Sequence, residues 1–142
     1  RLFVVAQIGK QSVGKSFLFN HMFKTKFLNR SGRCTQGVNM ALRDLKSNLV
    51  DEGRFTMTDK LLILDTEGLG SLDKVKRLKG KDINFDRCMV LFCLTVANAL
   101  ILTLKTEIDN ETADLLSVCC WALQNLKINK MSPPHIFFVL NQ

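Results

Sequence analysis

Three stretches of this 142-residue chain carry residue types at spacings that can do chemistry. The first, Gly9-Lys10-Gln11-Ser12-Val13-Gly14-Lys15-Ser16, fits the phosphate-cradling pattern G-x-x-x-x-G-K-[ST]. A loop that wraps backbone N–H groups around a phosphate chain has no room for side chains on its inner turn, and Gly9 and Gly14 leave that space. The helix expected from Ser16, with Phe17 in its first turn, turns its unpaired N–H groups and positive dipole end toward the charge. Lys15 reaches the terminal phosphates, and the Ser16 hydroxyl is a hard oxygen ligand for Mg²⁺. Average composition produces such a match in roughly one random chain of this length in two hundred, so nucleotide binding outweighs a chance glycine turn.

The second stretch is the loop from Lys24 to Gly37, which lacks sustained periodicity and contains Thr35 within Ser31-Gly32-Arg33-Cys34-Thr35-Gln36-Gly37. Loops of this length inside compact domains are usually functional. The third is Asp65-Thr66-Glu67-Gly68, directly after the apolar run Leu61–Leu64. A carboxylate at the C-terminal end of a buried strand beside the P-loop strand is placed to hold Mg²⁺ through water. The D-x-x-G spacing lets the Gly68 N–H approach a terminal phosphate. A helix N-cap aspartate would look the same in isolation; the order P-loop, threonine loop, D-x-x-G makes the signal strong.

These residues need a scaffold, and the remaining sequence supplies one. Leu2–Ile8 is a short apolar run suited to a central parallel strand buried on both faces. Ser16–Phe23 follows as a helix with Phe17, Leu18, Met22 and Phe23 at helical spacing. Val38–Leu45 alternates, and Asp51-Glu52-Gly53 offers a turn before Phe55, which predicts a hairpin-like pair of strands. Helices are expected over Ile83–Val96 and Glu111–Leu126, with strands at Leu61–Leu64, Ala99–Leu104 and His135–Leu140. The second of these helices carries Leu115, Val118, Cys119, Ala122 and Leu126 on one stripe. Pro133 and Pro134 break the chain before the last strand. Alternating strands and helices predict an α/β fold in three layers, its sheet mostly parallel with helices on both faces and ligands at the C-terminal strand ends.

Composition sets bounds on the partners. An apolar fraction of 46% with 23% charged residues is that of a globular protein, and the length suits one domain over residues 1–142. The net charge of +7 gathers between Lys10 and Arg33 and again at Lys74, Lys76, Arg77, Lys79 and Lys81. Such surfaces suit nucleotide phosphates or anionic lipid, or are simply solvated. No aromatic residues interleave with the second cluster, so nucleic acid is not an expected partner. The five cysteines form no C-x-x-C pair and read as buried or free thiols of a reducing compartment; His21 and His135 are isolated and read as structural. Cys88–Leu104 is nearly all apolar but falls short of a membrane span of about twenty residues, and reads as a buried helix running into a buried strand. The chain opens at Arg1 in an apolar run with no leader pattern and reads as a fragment.

With these motifs in hand, the chain resembles the G domain of regulatory GTPases, and in detail the dynamin superfamily; the resemblance implies the α/β, three-layer P-loop NTPase fold of a Ras-like G domain. Asp65-Thr66-Glu67-Gly68-Leu69-Gly70 is similar to the corresponding stretch of guanylate-binding proteins. Gln11-Ser12-Val13-Gly14-Lys15-Ser16 looks like the P-loop of dynamins and of the very large interferon-inducible GTPases, which Gly32-Arg33-Cys34-Thr35-Gln36-Gly37 also resembles. The resemblance implies GTP and GDP as ligands, with Lys15 on the terminal phosphates. It implies Ser16 and Thr35 as Mg²⁺ ligands, Asp65 holding the ion through water, and the Thr35 and Gly68 backbones sensing the γ-phosphate. Gln11 and Ser12 carry over from dynamins as groups that orient the attacking water and stabilise transition-state charge, which with Lys15 and Thr35 makes the catalytic set. It further implies a nucleotide-dependent homodimer or oligomer, a cytoplasmic location and peripheral association with membranes.

Two departures bear on rate and one on base choice. Guanylate-binding proteins keep an arginine finger where this chain has Ser12, and such a finger is worth roughly 10³ to 10⁵ in rate. Small GTPases place a glutamine where this chain has Leu69. The guanine-reading pattern [NT]-[KQ]-x-D would begin at Asn141-Gln142, leaving its carboxylate beyond the last residue; the domain is therefore expected to be C-terminally truncated. Two alternatives stay open: a GTP-binding scaffold with little or no hydrolysis, and a P-loop ATPase or nucleotide kinase.

Overall fold

A computed structural model describes residues 1–28, 35, 37–44, 60–69, 82–105, 110–128 and 132–141. The elements run β1 (Leu2–Gly9), α1 (Lys15–Phe23), β2 (Val38–Asp44), β3 (Lys60–Thr66), α2 (Asp82–Val96), β4 (Ala99–Lys105), α3 (Asn110–Ile128) and β5 (His135–Asn141). They build a five-stranded sheet in the order β2-β3-β1-β4-β5, parallel except for β2. β1 lies at its centre because its run from Val4 to Gly9 is buried on both faces, which only a central strand satisfies.

Alternation along the strands splits the core into two layers. Val4, Ala6 and Ile8 of β1 join Leu100, Leu102 and Leu104 of β4 against Val90, Cys93 and Leu94 of α2 and Leu115, Cys119 and Ala122 of α3. On the opposite face, Val5, Ile63, Ala99 and Ile101 pack on Phe19 of α1 and on Phe27. Helices therefore cover both faces of a mostly parallel sheet, the three-layer fold expected from the element order.

Two local readings change, and α1 buries a residue that its apolar spacing did not single out: Phe17 and Met22 are exposed and Phe19 is fully buried. Lys15 must face the sheet's C-terminal edge, and the residue four positions on shares its side of the helix. β2 pairs antiparallel with β3 itself, from Val38 opposite Thr66 to Asp44 opposite Lys60. The turn at Asp51-Glu52-Gly53, Phe55, the loop residues 29–34 and 36, Gly70, Gln142 and the lysine-rich stretch at 74–81 lie outside the described residues. The α2 segment is amphipathic rather than buried all round, with Phe85, Phe92 and Val96 exposed opposite Val90 and Leu94. Among the described residues no helix is long and apolar enough to cross a membrane.

Burial, and the charge of Cys119 beside it, push the Cys93 thiol up to about 12. Burial does the same to Cys119, with Cys120 adding to it. Both are neutral packing groups at physiological pH; Cys88 and Cys120 are exposed, all four are free, and Cys34 lies outside the described residues.

Candidate active site

The C-terminal ends of β1, β3 and β4 meet on one edge of the sheet, and the chain leaving β1 turns there into α1. Gly14 makes that turn with φ 78° and ψ 20°, a left-handed conformation that a residue with a side chain rarely adopts. Gly14 also caps α1 without any side-chain hydrogen bond, and its carbonyl accepts the bond from Leu18 N at 2.9 Å. With no acidic residue in the first turn, the helix leaves its N–H groups and positive end open to an anion. Val13, 2% exposed, anchors the loop in the core. Lys15 is buried and its Nζ donates to the Lys10 carbonyl at 2.6 Å, so the ammonium lies along the loop's own turn. The Phe17 side chain is exposed, which leaves its backbone N–H as the group it can offer. Ser12 is exposed with φ 60°, and Gln11 is half-buried next to it.

Asp65 is the centre of the site. It sits on β3 in register with Gln7 of β1 and is fully buried. Its Oδ2 accepts hydrogen bonds from Ser16 Oγ at 2.8 Å and from Thr35 Oγ1 at 3.2 Å, and its Oδ1 faces Gln7 Nε2 at 3.5 Å. Burial raises the Asp65 carboxyl above its ordinary value, against the opposing pull of the Ser16 hydroxyl, the Lys15 charge and the Thr35 hydroxyl. The three residues expected to hold a metal thus converge from three separate parts of the chain on one carboxylate. Two hydroxyls and a carboxylate are an all-oxygen donor set, the kind that suits Mg²⁺.

The turn after β3 is locked to the P-loop. A β-carbon on Gly68 would lie 2.6 Å from the Gln11 backbone nitrogen, so only glycine lets the two loops touch. Leu69 N donates to the Gly9 carbonyl at 3.1 Å just beyond. Two further residues join the site: Glu67, without a role in the sequence motifs, and Asn141, marked there only as the candidate start of the guanine-reading pattern. Glu67 N donates to the Gly37 carbonyl at 2.8 Å while Gly37 N donates to Glu67 Oε2 at 3.0 Å, which clasps the D-x-x-G turn to the loop that carries Thr35. Asn141 Nδ2 donates to the Val13 carbonyl at 2.9 Å, tying the end of β5 to the P-loop. A glutamate between Asp65 and Gly68 and an asparagine closing a strand were the available signals. Gln7 had one as well: it is the polar residue within an otherwise apolar strand.

A loop that cradles an anion, a lysine within it and a hydroxyl–carboxylate cluster beside it fit a Mg²⁺–nucleotide. A family profile described as URGCP-like GTPase domain matches residues 1–142. The chain belongs to the URGCP-like GTPase domain family. GTP binding and hydrolysis are the activity of such a GTPase domain. Among its relatives, Interferon-induced very large GTPase 1 of Mus musculus is 31% identical over 137 residues, which is 96% of this chain and 5% of the relative. The Homo sapiens protein of the same name is 32% identical over 137 residues, again 96% of the chain and 5% of the relative. Protein SEY1 of Clavispora lusitaniae is 32% identical over 106 residues, 71% of this chain and 12% of its own length. This URGCP-like GTPase domain therefore spans a small part of the relatives it matches, and the resemblance to large, very-large-inducible GTPases drawn from its P-loop and Thr35 loop is borne out.

Proposed function

We propose that this domain binds GTP with Mg²⁺, hydrolyses it to GDP and phosphate, and serves as the nucleotide-sensing switch of a larger dynamin-like GTPase. The observation that carries this reading is the convergence of Ser16 and Thr35 on the buried Asp65, next to Lys15 and the open end of α1. Lys15 and the α1 N–H groups bind the phosphates, and the Ser16 and Thr35 hydroxyls with Asp65 hold the ion, Asp65 through water. Bound Mg²⁺ supplies electrostatic neutralisation of the phosphate oxygens. Gln11 and Ser12 face the phosphates from the loop's centre, orienting water and stabilising the developing charge. The Glu67–Gly37 clasp keeps the Thr35 loop and the Gly68 turn moving together, so both report on the γ-phosphate. By its resemblance to dynamin-like GTPases, the domain pairs with a second copy when nucleotide is bound, and the protein works in the cytoplasm with peripheral contact to membranes.

A second reading, a GTP-binding scaffold without useful hydrolysis, is favoured by Ser12, which supplies no cation at the loop's centre. Phosphate release from GTP, measured across a range of chain concentrations with Mg²⁺ present, separates the two. Release whose specific rate climbs with concentration supports the switch and its pairing. Tight GTP binding with no release at any concentration selects the scaffold, and ATP outcompeting GTP would sink both.

A further inference from the structure

We infer that Gln7 is a positioning residue for Asp65, holding the carboxylate from beneath so that its other oxygen faces the Ser16 and Thr35 hydroxyls. The inference rests on the Mg²⁺ reading of the site proposed above. Gln7 is 0% exposed, at the heart of a strand whose neighbours are Val5, Ala6 and Ile8. A full amide in that position is costly unless its hydrogen bonds are made, so an apolar residue would be the cheaper filling. Its Nε2 faces Asp65 Oδ1 at 3.5 Å, and the opposite amide orientation would set a carbonyl against the carboxylate. The backbone of the same residue is pinned too, since Thr66 Oγ1 donates to the Gln7 carbonyl at 2.7 Å. β1 and β3 are thus tied at this register by both main chain and side chain.

Behind the amide lies a second signal. Gln7 Oε1 and Thr103 Oγ1 are buried atoms with no hydrogen-bond partner among the described residues. Strand alternation puts both on the α1 face: Gln7 follows Val5 on β1, and Thr103 follows Ala99 and Ile101 on β4. Because Gln7 is in register with Ile101 and Gly9 with Thr103, the two polar side chains are diagonal neighbours. Two orphaned groups side by side, one an acceptor and one a donor, make a site that one ordered water satisfies. Thr103 then fixes which way the Gln7 amide points, and Gln7 fixes Asp65. Groups that orient a ligand from behind in this way typically change metal affinity about 10- to 100-fold when removed.

The test uses the intact chain and a fluorescent GDP probe, titrating Mg²⁺ against probe dissociation, alongside probe affinity in EDTA and thermal denaturation of the ligand-free chain. Gln7→Met keeps the volume and removes the amide. The expected result is a Mg²⁺ half-saturation raised about tenfold, with EDTA affinity unchanged and Tm equal or higher. Thr103→Val is expected to shift half-saturation in the same direction by a smaller factor. Half-saturation equal to wild type in Gln7→Met overturns the inference, as does an equal loss of affinity with and without Mg²⁺, which marks a general structural role. Should Gln7→Met fail to fold, an unchanged half-saturation in Thr103→Val overturns it instead. A wild type whose probe release ignores Mg²⁺ overturns the metal reading itself, a separate outcome.

Discussion

Asp65 sits in a conflict between fold and chemistry. Burial works against its charge, while Ser16, Lys15 and Thr35 only partly offset that cost, so its proton is held more tightly in the folded chain than in the unfolded one. Below pH 3.8, the ordinary value of the group, both states carry the proton and the site costs nothing; as pH rises through the raised folded value, stability is lost. Asp65→Asn in the metal- and nucleotide-free chain is therefore expected to raise Tm at neutral pH, with the gain vanishing as pH falls below that range. Denaturation scans of both chains across pH check this, and an Asn variant less stable than wild type at pH 7 would contradict it. The same variant should hold Mg²⁺ and nucleotide more weakly, because the amide lacks the charge that binds the ion. Lys15, Ser16 and Asp65 were singled out in the sequence by motif spacing, and Thr35 by its loop and the resemblance; Ser16 and Thr35 do meet Asp65 in the fold. Glu67 and Gln7 were not singled out, and Asn141 was marked for base reading rather than for its bond to the P-loop, since each acts through a contact across 30 or more positions, such as the bond from Gly37 to Glu67 or from Asn141 to Val13, which local pattern does not reveal.

The elements are set by where these side chains must point. α1 has to start with Lys15 and Ser16 aimed at the sheet edge, so its buried face falls on Phe19, which apolar spacing alone did not distinguish from the exposed Phe17 and Met22. Phe19 is fully buried against Val5, Ile63 and Ile101, and its ring meets Phe23 edge-on at 5.1 Å. Phe19→Ala should cost about 3–5 kcal/mol of stability by denaturant titration, whereas Phe17→Ala should cost far less. A reversed order would place the helix in the other rotation. The seam between the P-loop and the D-x-x-G turn is as demanding. Gly68→Ala puts a methyl into the Gln11 backbone, which cannot swing aside as a side chain would, so an overpacking cost of about 1–3 kcal/mol is expected. Because the Thr35 loop is clasped to that turn through Glu67, the same variant should speed nucleotide release, read as probe dissociation after mixing with excess unlabelled GTP. Release at the wild-type rate would show the seam to be passive.

At the scale of the whole molecule, sheet order follows from burial: the strand buried on both faces takes the centre and carries the P-loop from its C-terminal end, the edge of open α/β sheets where ligands bind. Strand and helix existence was readable from periodicity, as was the parallel arrangement. The pairing of β2 with β3 was not, because the intervening residues 45–59 separate the partners and alternation does not name a neighbour. The composition of the core, one layer between the sheet and α2 with α3 and a smaller one under α1, leaves the site resting on strands packed on both faces. Such a packed base suits the switch proposed above, in which only the Thr35 loop and the Gly68 turn respond to the γ-phosphate. The most direct test is phosphate release from GTP by the intact chain with Mg²⁺ present, compared with Lys15→Ala. Loss of the lysine at the terminal phosphates should lower the rate by about 10²-fold or more while the fold, followed by circular dichroism, is kept. Equal rates in the two proteins would contradict hydrolysis at this site.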